Sequence, residues 1–173
     1  MFVKILEMDA STARGVSALV KRVFPFEGHI FSWVYTTPEG SLFRKIGLWV
    51  FGIRKVTVVW AALDDSGNVV GTTGLLRRRI DAGEAFWLAY FCVAPEARGA
   101  GIGSRLLDGA IERARQDGAG YLRLYTSDVP DEADAQRLYE SRGLHVYKTR
   151  RLVFYNVLFR EKSLQDSERV TQK

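Results

Sequence analysis

The stretch FCVAPEARGAGIGSRLLDGAI, Phe91 to Ile111, constrains this chain more than any other. Before it, Ala85 to Val93 is an almost wholly apolar run. A run without alternation predicts a central strand covered on both faces. The strand stops at Pro95, glycines at 99, 101 and 103 punctuate a turn, and a helix starts near Ile102. In that helix Leu106, Leu107, Ala110, Ile111 and Ala114 mark one face as far as Gln116. A helix start leaves backbone N–H groups without partners and carries a partial positive charge. Residues without side chains let an anion approach those amides closely. Arg98 and Arg105 flank the turn with permanent charge. The chemistry implied is pyrophosphate binding by backbone amides, without a metal.

Three alternatives compete for the turn. A dinucleotide-binding fingerprint needs G-x-G-x-x-G, and here the third glycine falls one position early, with Ser104 in its place. A Walker loop needs G-K-[ST], which is absent. A tight strand-to-helix turn with no ligand has no need of three alternating glycines, each of which carries an entropic cost.

The remaining elements follow from periodicity. Phe2 to Leu6 reads as a short strand, and Ser11 caps a helix running to about Val23. Residues 24–54 are aromatic-rich and broken by Pro25, Gly28, Pro38, Gly40, Gly47 and Gly52. They read as a further helical or irregular segment. Val56 to Leu63 and Val69 to Arg77 form a hairpin across the turn cluster Asp64 to Asn68. The turn Asp81-Ala82-Gly83 leads into the apolar strand. Tyr121 to Thr126 is the next strand, and Ala133 to Ser141 is a helix with Ala135, Leu138 and Tyr139 inward. His145 to Lys148 and Leu152 to Phe159 read as two final strands, with a polar tail over 161–173 that frays. No linker divides residues 1–173, so the chain reads as a single α/β (mixed α+β) domain.

Composition then removes several functions. Hydrophobic residues at 47% and charged residues at 26% exclude general disorder. A net charge of +5 suits an anionic ligand without requiring nucleic acid. One cysteine and two histidines leave no multi-Cys metal site or disulfide framework, so no metal is expected and the compartment is the reducing cytoplasm. Lys4, Glu7 and Asp9 interrupt any signal-peptide core. The run Ile46 to Ile53, bracketed by Arg44-Lys45 and Arg54-Lys55, is far shorter than the roughly 20 residues that span a bilayer. Of its two readings, an interfacial segment or one packed between helix and sheet, the second is preferred. Membrane association is not expected.

RGAGIG, after V-A-P-E-A and before an L-L-containing helix, resembles the Q/R-x-x-G-x-G/A signature of GNAT-type (GCN5-related) N-acetyltransferases. AQRLYESRGL, Ala135 to Leu144, resembles that family's second signature, A-x-x-L-Y-x-x-x-G-F/L. The similarity runs from about Val56 to Tyr155. One departure is Glu132, where the family often has Asn seven residues before the tyrosine.

The resemblance implies a mixed, mostly antiparallel sheet of about seven strands, splayed between 85–93 and 121–126. It implies acetyl-CoA (coenzyme A) as co-substrate, with the pyrophosphate on Arg98, Gly99, Ala100, Gly101, Ile102, Gly103 and Ser104. The pantetheine arm would be bordered by Phe91, Cys92 and Val93. Tyr139 matches the general acid that protonates the departing thiolate. For the base that frees the amine, Glu84 is the first candidate, ahead of Asp64 and Asp65. Cys92 reads as a small buried apolar group rather than an acyl-carrying nucleophile.

The function expected is acetyl transfer from acetyl-CoA to a small-molecule or peptide primary amine, by direct attack in a ternary complex. The alternative is a catalytically silent CoA-binding regulatory module. Phe26, Phe31, Trp33, Tyr35 and Trp49 either wall an acceptor pocket or pack the core. A homodimer joined through the final strand is one assembly the pattern allows.

Overall fold

The computed structural model describes residues 2–25, 27–81 and 83–165. Its strands are β1 (Lys4–Glu7), β2 (Ile53–Leu63), β3 (Val69–Arg78), β4 (Ala85–Val93), β5 (Tyr121–Ser127), β6 (His145–Arg151) and β7 (Asn156–Ser163). Its helices are α1 (Ala13–Val23), α2 (Gly28–Tyr35), α3 (Leu42–Val50), α4 (Ile102–Gln116) and α5 (Ala133–Ser141). The strands make one open sheet in the order β1-β2-β3-β4-β5-β7-β6. Every neighbouring pair is antiparallel except β4–β5.

The apolar run at 85–93 is the central strand, and both of its faces are covered. Trp87 and Cys92 join the cluster under α1 and α2, with Val16, Val20, Phe31 and Val34. Phe86 and Leu88 join the cluster under α4 and α5, with Leu107, Ala110, Leu122 and Tyr139. A strand that must satisfy two cores has no polar face to alternate, as its sequence shows.

Several boundaries depart from the sequence reading; β6, for one, runs on past Lys148 to Arg151. Thr12, not Ser11, occupies the N-cap position of α1. Asp9 Oδ1 instead gathers the Ser11 hydroxyl at 2.6 Å and the Thr12 amide at 3.0 Å, so the turn is organised by a carboxylate further upstream. The segment 24–54 holds two helices, α2 and α3, and its last two residues open β2, which starts at Ile53 and not at Val56. The final strand begins at Asn156, because Leu152 to Tyr155 close the β6–β7 turn, with the Leu152 amide on the Tyr155 carbonyl at 2.9 Å. Glu161 to Ser163 therefore continue β7, and Leu164 is buried beyond it, so fraying does not begin at 161. The rest of the expected tail, 166–173, lies outside the described residues, as do Ala82 of the turn before β4 and Phe26.

The topology also bears on assembly. β7 lies between β5 and β6, so both of its edges are already hydrogen-bonded. A dimer through the final strand is thus unavailable; the outer strands of the described sheet are β1 and β6, the penultimate strand.

Candidate active site

After β4 the chain makes one short 3-10 turn, Pro95–Ala97, and reverses through Arg98 to Gly101 into α4. Gly99 and Gly101 hold φ of 79° and 74°, a left-handed backbone that L side chains rarely adopt, and open space lies where their Cβ atoms would stand. The Arg98 amide is engaged by the Pro95 carbonyl at 3.3 Å. The amides of Gly99 through Ser104 find no acceptor among the described residues, and the intrahelical ladder begins only with Arg105 on Gly101 at 3.1 Å. The donor set is that of the sequence reading less the Arg98 amide, and it sits at a helix N-terminus. Ile102 contributes only its amide, since its side chain is buried in the core. The Arg98 guanidinium is exposed, 3.4 Å from the Val93 carbonyl. Arg105 is drawn away, donating to the Val3 carbonyl at 3.0 Å.

A cleft opens beside this turn because β4 and β5 pair only over Ala85–Trp87 and Tyr121–Arg123. Beyond Trp87, β4 continues to Val93 with its β5-facing edge unpaired. A bulge drives the separation: between the pairs Gly74↔Ala89 and Thr72↔Cys92, β4 uses one more residue than β3. Tyr90 in that bulge has φ of 50°, a strained conformation for an aromatic residue. Its ring is locked by Phe31 and Tyr35, with centroids at 5.0 and 5.3 Å.

The cleft widens into a cavity of about 490 Å³ that takes in Glu27, Tyr35, Tyr90, Phe91, Glu132 and Tyr139 among its walls. Tyr139, buried on α5, lies 5.6 Å from Phe91 between ring centroids. Its hydroxyl meets no protein acceptor among the described residues. Burial, reinforced by the Glu132 charge, pushes its phenol above the ordinary value, so it holds its proton at neutral pH. Gly103 lies beneath, where a Cβ would come within 3.3 Å of the Phe91 ring. Burial likewise pushes the Cys92 thiol up to about 12, which makes it a neutral packing group and no nucleophile.

The structure separates Glu84 from this constellation. Glu84 stands at the opposite end of β4, outside the cavity lining, 3.6 Å from the Arg123 guanidinium. Asp64 is likewise committed to its own turn, accepting from the Ser66 and Asn68 amides at 2.9 and 2.8 Å. Among the described residues, the carboxylates that reach the cavity are Glu27 and Glu132. Partial desolvation at the cavity wall, then the charge of Glu132, raises the Glu27 carboxyl above its ordinary value.

Glu132 replaces the expected amide with a structural bond set. It accepts from the Thr126 hydroxyl, and from the Ser127 amide and hydroxyl, both at 2.8 Å. With Gln136 on the Ser127 carbonyl at 2.6 Å, it pins the start of α5 to the end of β5. Arg160, buried on β7, fixes the far end of α5 through the Leu144 carbonyl at 3.0 Å and Gln136 and Glu140 at 2.8 Å. Tyr139 is thereby held at both ends of its helix. No local motif marks Glu27 or Arg160; only the alternation of β7, with Leu158 and Arg160 on one face, hinted that Arg160 turns inward.

Among the aromatic residues singled out in 24–54, Tyr35 walls the cavity, with its hydroxyl buried and unpartnered. Phe31 packs the core, Trp33 donates to the Phe43 carbonyl at 2.9 Å, and Trp49 is exposed. Of the basic groups, Arg142 pairs with Asp108 at 2.8 Å, Arg77 donates to the Gly83 carbonyl, and Arg78 lies over Trp87 at the cavity.

Comparison with known proteins gives a consistent result. The family model described as the Acetyltransferase (GNAT) family matches residues 21–144. A search of curated proteins finds no match. Among solved structures, a Desulfovibrio desulfuricans protein assigned to the GNAT family superposes with a TM-score of 0.69 at 16% identity, covering 95% of this chain and 100% of that one. A GCN5-related N-acetyltransferase from Kribbella flavida gives 0.67 at 15% identity, over 93% and 97% of the two chains. A Salmonella typhimurium structure that holds its cofactor acetyl-CoA gives 0.65 at 17% identity, over 96% of each. At these identities the likeness establishes the fold.

Proposed function

Because the chain belongs to the acetyltransferase (GNAT) family, we propose that it moves an acetyl group from acetyl-CoA directly to a primary amine held in the same cleft. The observation that carries this reading is the row of unpartnered amides from Gly99 to Ser104, set at a helix N-terminus beside the parted strands β4 and β5. Acetyl-CoA, when bound, supplies an activated thioester carbonyl. Gly99, Ala100, Gly101, Ile102, Gly103 and Ser104 hold its pyrophosphate through N–H groups, with Arg98 adding charge. The unpaired edge of β4 at Phe91, Cys92 and Val93 orients the pantetheine arm as an added strand would.

Tyr139 keeps its proton until negative charge develops on the departing sulfur, then delivers it. The base role passes from Glu84 to Glu27. Its raised affinity for a proton makes it better matched to an ammonium group than an ordinary carboxylate, and it shares the cavity with Tyr139. Tyr35, with a buried and unsatisfied hydroxyl in the same wall, positions the acceptor.

Two measurements test the reading. Acetyl-CoA at about 100 times its Kd stabilises the fold by about 2.7 kcal/mol, seen as a raised Tm. Thiol release from acetyl-CoA across a panel of primary amines then identifies turnover. No thermal shift overturns the assignment of the turn; a shift without thiol release from any amine favours the silent CoA-binding module.

A further inference from the structure

Helix α3 has two apolar faces, and only one of them is used. Gly47, Leu48 and Phe51 turn inward, with Gly47 so close to α2 that a Cβ would lie 3.2 Å from Trp33 and Val34. Leu42, Phe43, Ile46, Trp49 and Val50 recur at i, i+1, i+4, i+7 and i+8, which is a single stripe of a helix. That stripe points away from the protein, with exposures from 44% at Ile46 to 73% at Leu42. The expectation that this run is packed between helix and sheet therefore fails at Ile46, Trp49 and Val50, while Gly47 and Ile53 are buried.

The surroundings of the stripe are basic. From Gly40 through Leu63 the chain carries Arg44, Lys45, Arg54 and Lys55 and no acidic residue. Arg44 turns inward to Glu39, but Lys45, Arg54 and Lys55 are exposed. So is Arg79, whose amide donates to the Gly52 carbonyl at 3.0 Å just past the helix. A second tip repeats the pattern: Val153 and Phe154 are 89% and 94% exposed and follow Arg150-Arg151. Phe51 beyond α3 and Tyr155 beyond this tip line the same cavity, so both apolar tips adjoin one opening.

We propose that this face docks the protein reversibly on an anionic lipid bilayer, with α3 lying in the headgroup plane. Trp, Phe, Leu and Ile on one side of a helix with Lys and Arg around it is the composition that partitions to a bilayer interface. The basic rim gains from anionic headgroups. It opposes the other simple occupant, a second copy, because a two-fold dimer would set the rim against itself. No described helix is long and apolar enough to cross a membrane, so the contact is a surface one. Docking does not depend on the acetyl-transfer reading.

The test is cosedimentation of the full chain with phosphatidylcholine vesicles, with and without phosphatidylglycerol, at low and physiological salt. Binding is expected only with the anionic lipid and to weaken with salt. Ile46→Ser with Trp49→Ser, and separately Lys45→Glu with Lys55→Glu, are each expected to lower the partition coefficient about tenfold or more. Far-UV circular dichroism and Tm check that both variants fold. Pelleting with neither vesicle type, or equal binding to both, overturns the proposal. So does self-association of the wild type that the Ile46/Trp49 variant abolishes, since the stripe would then be an interface between copies.

Discussion

The turn from Gly99 to Ser104 and the cavity wall built by α2 and the β4 bulge meet at Phe91, but they are made of different material. The turn presents backbone N–H groups and owes its shape to missing side chains at Gly99 and Gly101. The wall presents side chains, Glu27, Tyr35 and Tyr90, from two distant parts of the chain, and a strained backbone at Tyr90 fixes where they point. A backbone site is specified by a contiguous segment and is damaged by adding atoms. A side-chain site is specified by packing and is damaged by removing them.

The largest expected effect breaks that contrast from the turn side. Gly101→Val forces a β-branched residue to a φ near 74° and so distorts the turn that presents the free amides. Loss of two charge-assisted hydrogen bonds lowers acetyl-CoA affinity about a hundredfold or more, measured by calorimetry. Retained affinity would show that the amides are not the anchor. Tyr139→Phe is next: turnover falls about a hundredfold while the Kd for acetyl-CoA is unchanged, because only proton delivery is lost. An equal loss in both would make Tyr139 a packing residue.

The wall side is tested through pH. As the proposed base, Glu27 must be deprotonated to act, and partial burial, then the charge of Glu132, raises its proton affinity. The acid limb of kcat/KM therefore lies above the ordinary glutamate range. Glu132→Gln shifts that limb to lower pH, whereas Glu27→Gln cuts turnover about tenfold or more and removes the limb. An acid limb that persists in Glu27→Gln removes Glu27 from the base role.

Two smaller effects sharpen the picture. Arg160→Leu leaves the Leu144 carbonyl and Gln136 without their donor and lowers stability by about 1–3 kcal/mol, readable as a Tm decrease of about 2–4 °C per kcal/mol. Cys92→Ala, at a thiol held neutral by burial, leaves turnover within about twofold. A collapse of activity there would reopen a covalent route.

Legibility follows the same division. The strand at 85–93, the glycine turn, α4 and α5 with Tyr139 are all readable along the sequence, since each depends on neighbours a few residues away. The parting of β4 from β5 was expected, but its device was not: nothing local marks Tyr90 for a positive φ, and the bulge exists only in register with β3. Glu84 lies next to the central strand in sequence, yet strand length carries it to the end of β4 away from the cavity. Glu27 lacks any motif, because its place in the cavity wall comes from α2 packing beside β4. The run at 46–53 was apolar enough to be read as buried; only the placement of α3 reveals that its outer stripe has no protein partner.

What the sequence determined by itself is a helix start stripped of side chains behind a doubly buried strand, because hydrogen-bond vacancies and steric permission are properties of consecutive residues. What the tertiary structure decided is which carboxylates share the cavity with Tyr139 and which apolar residues are left facing outward. Those depend on sheet register and helix docking, where one inserted residue in β4 redirects side chains that are far apart in the chain.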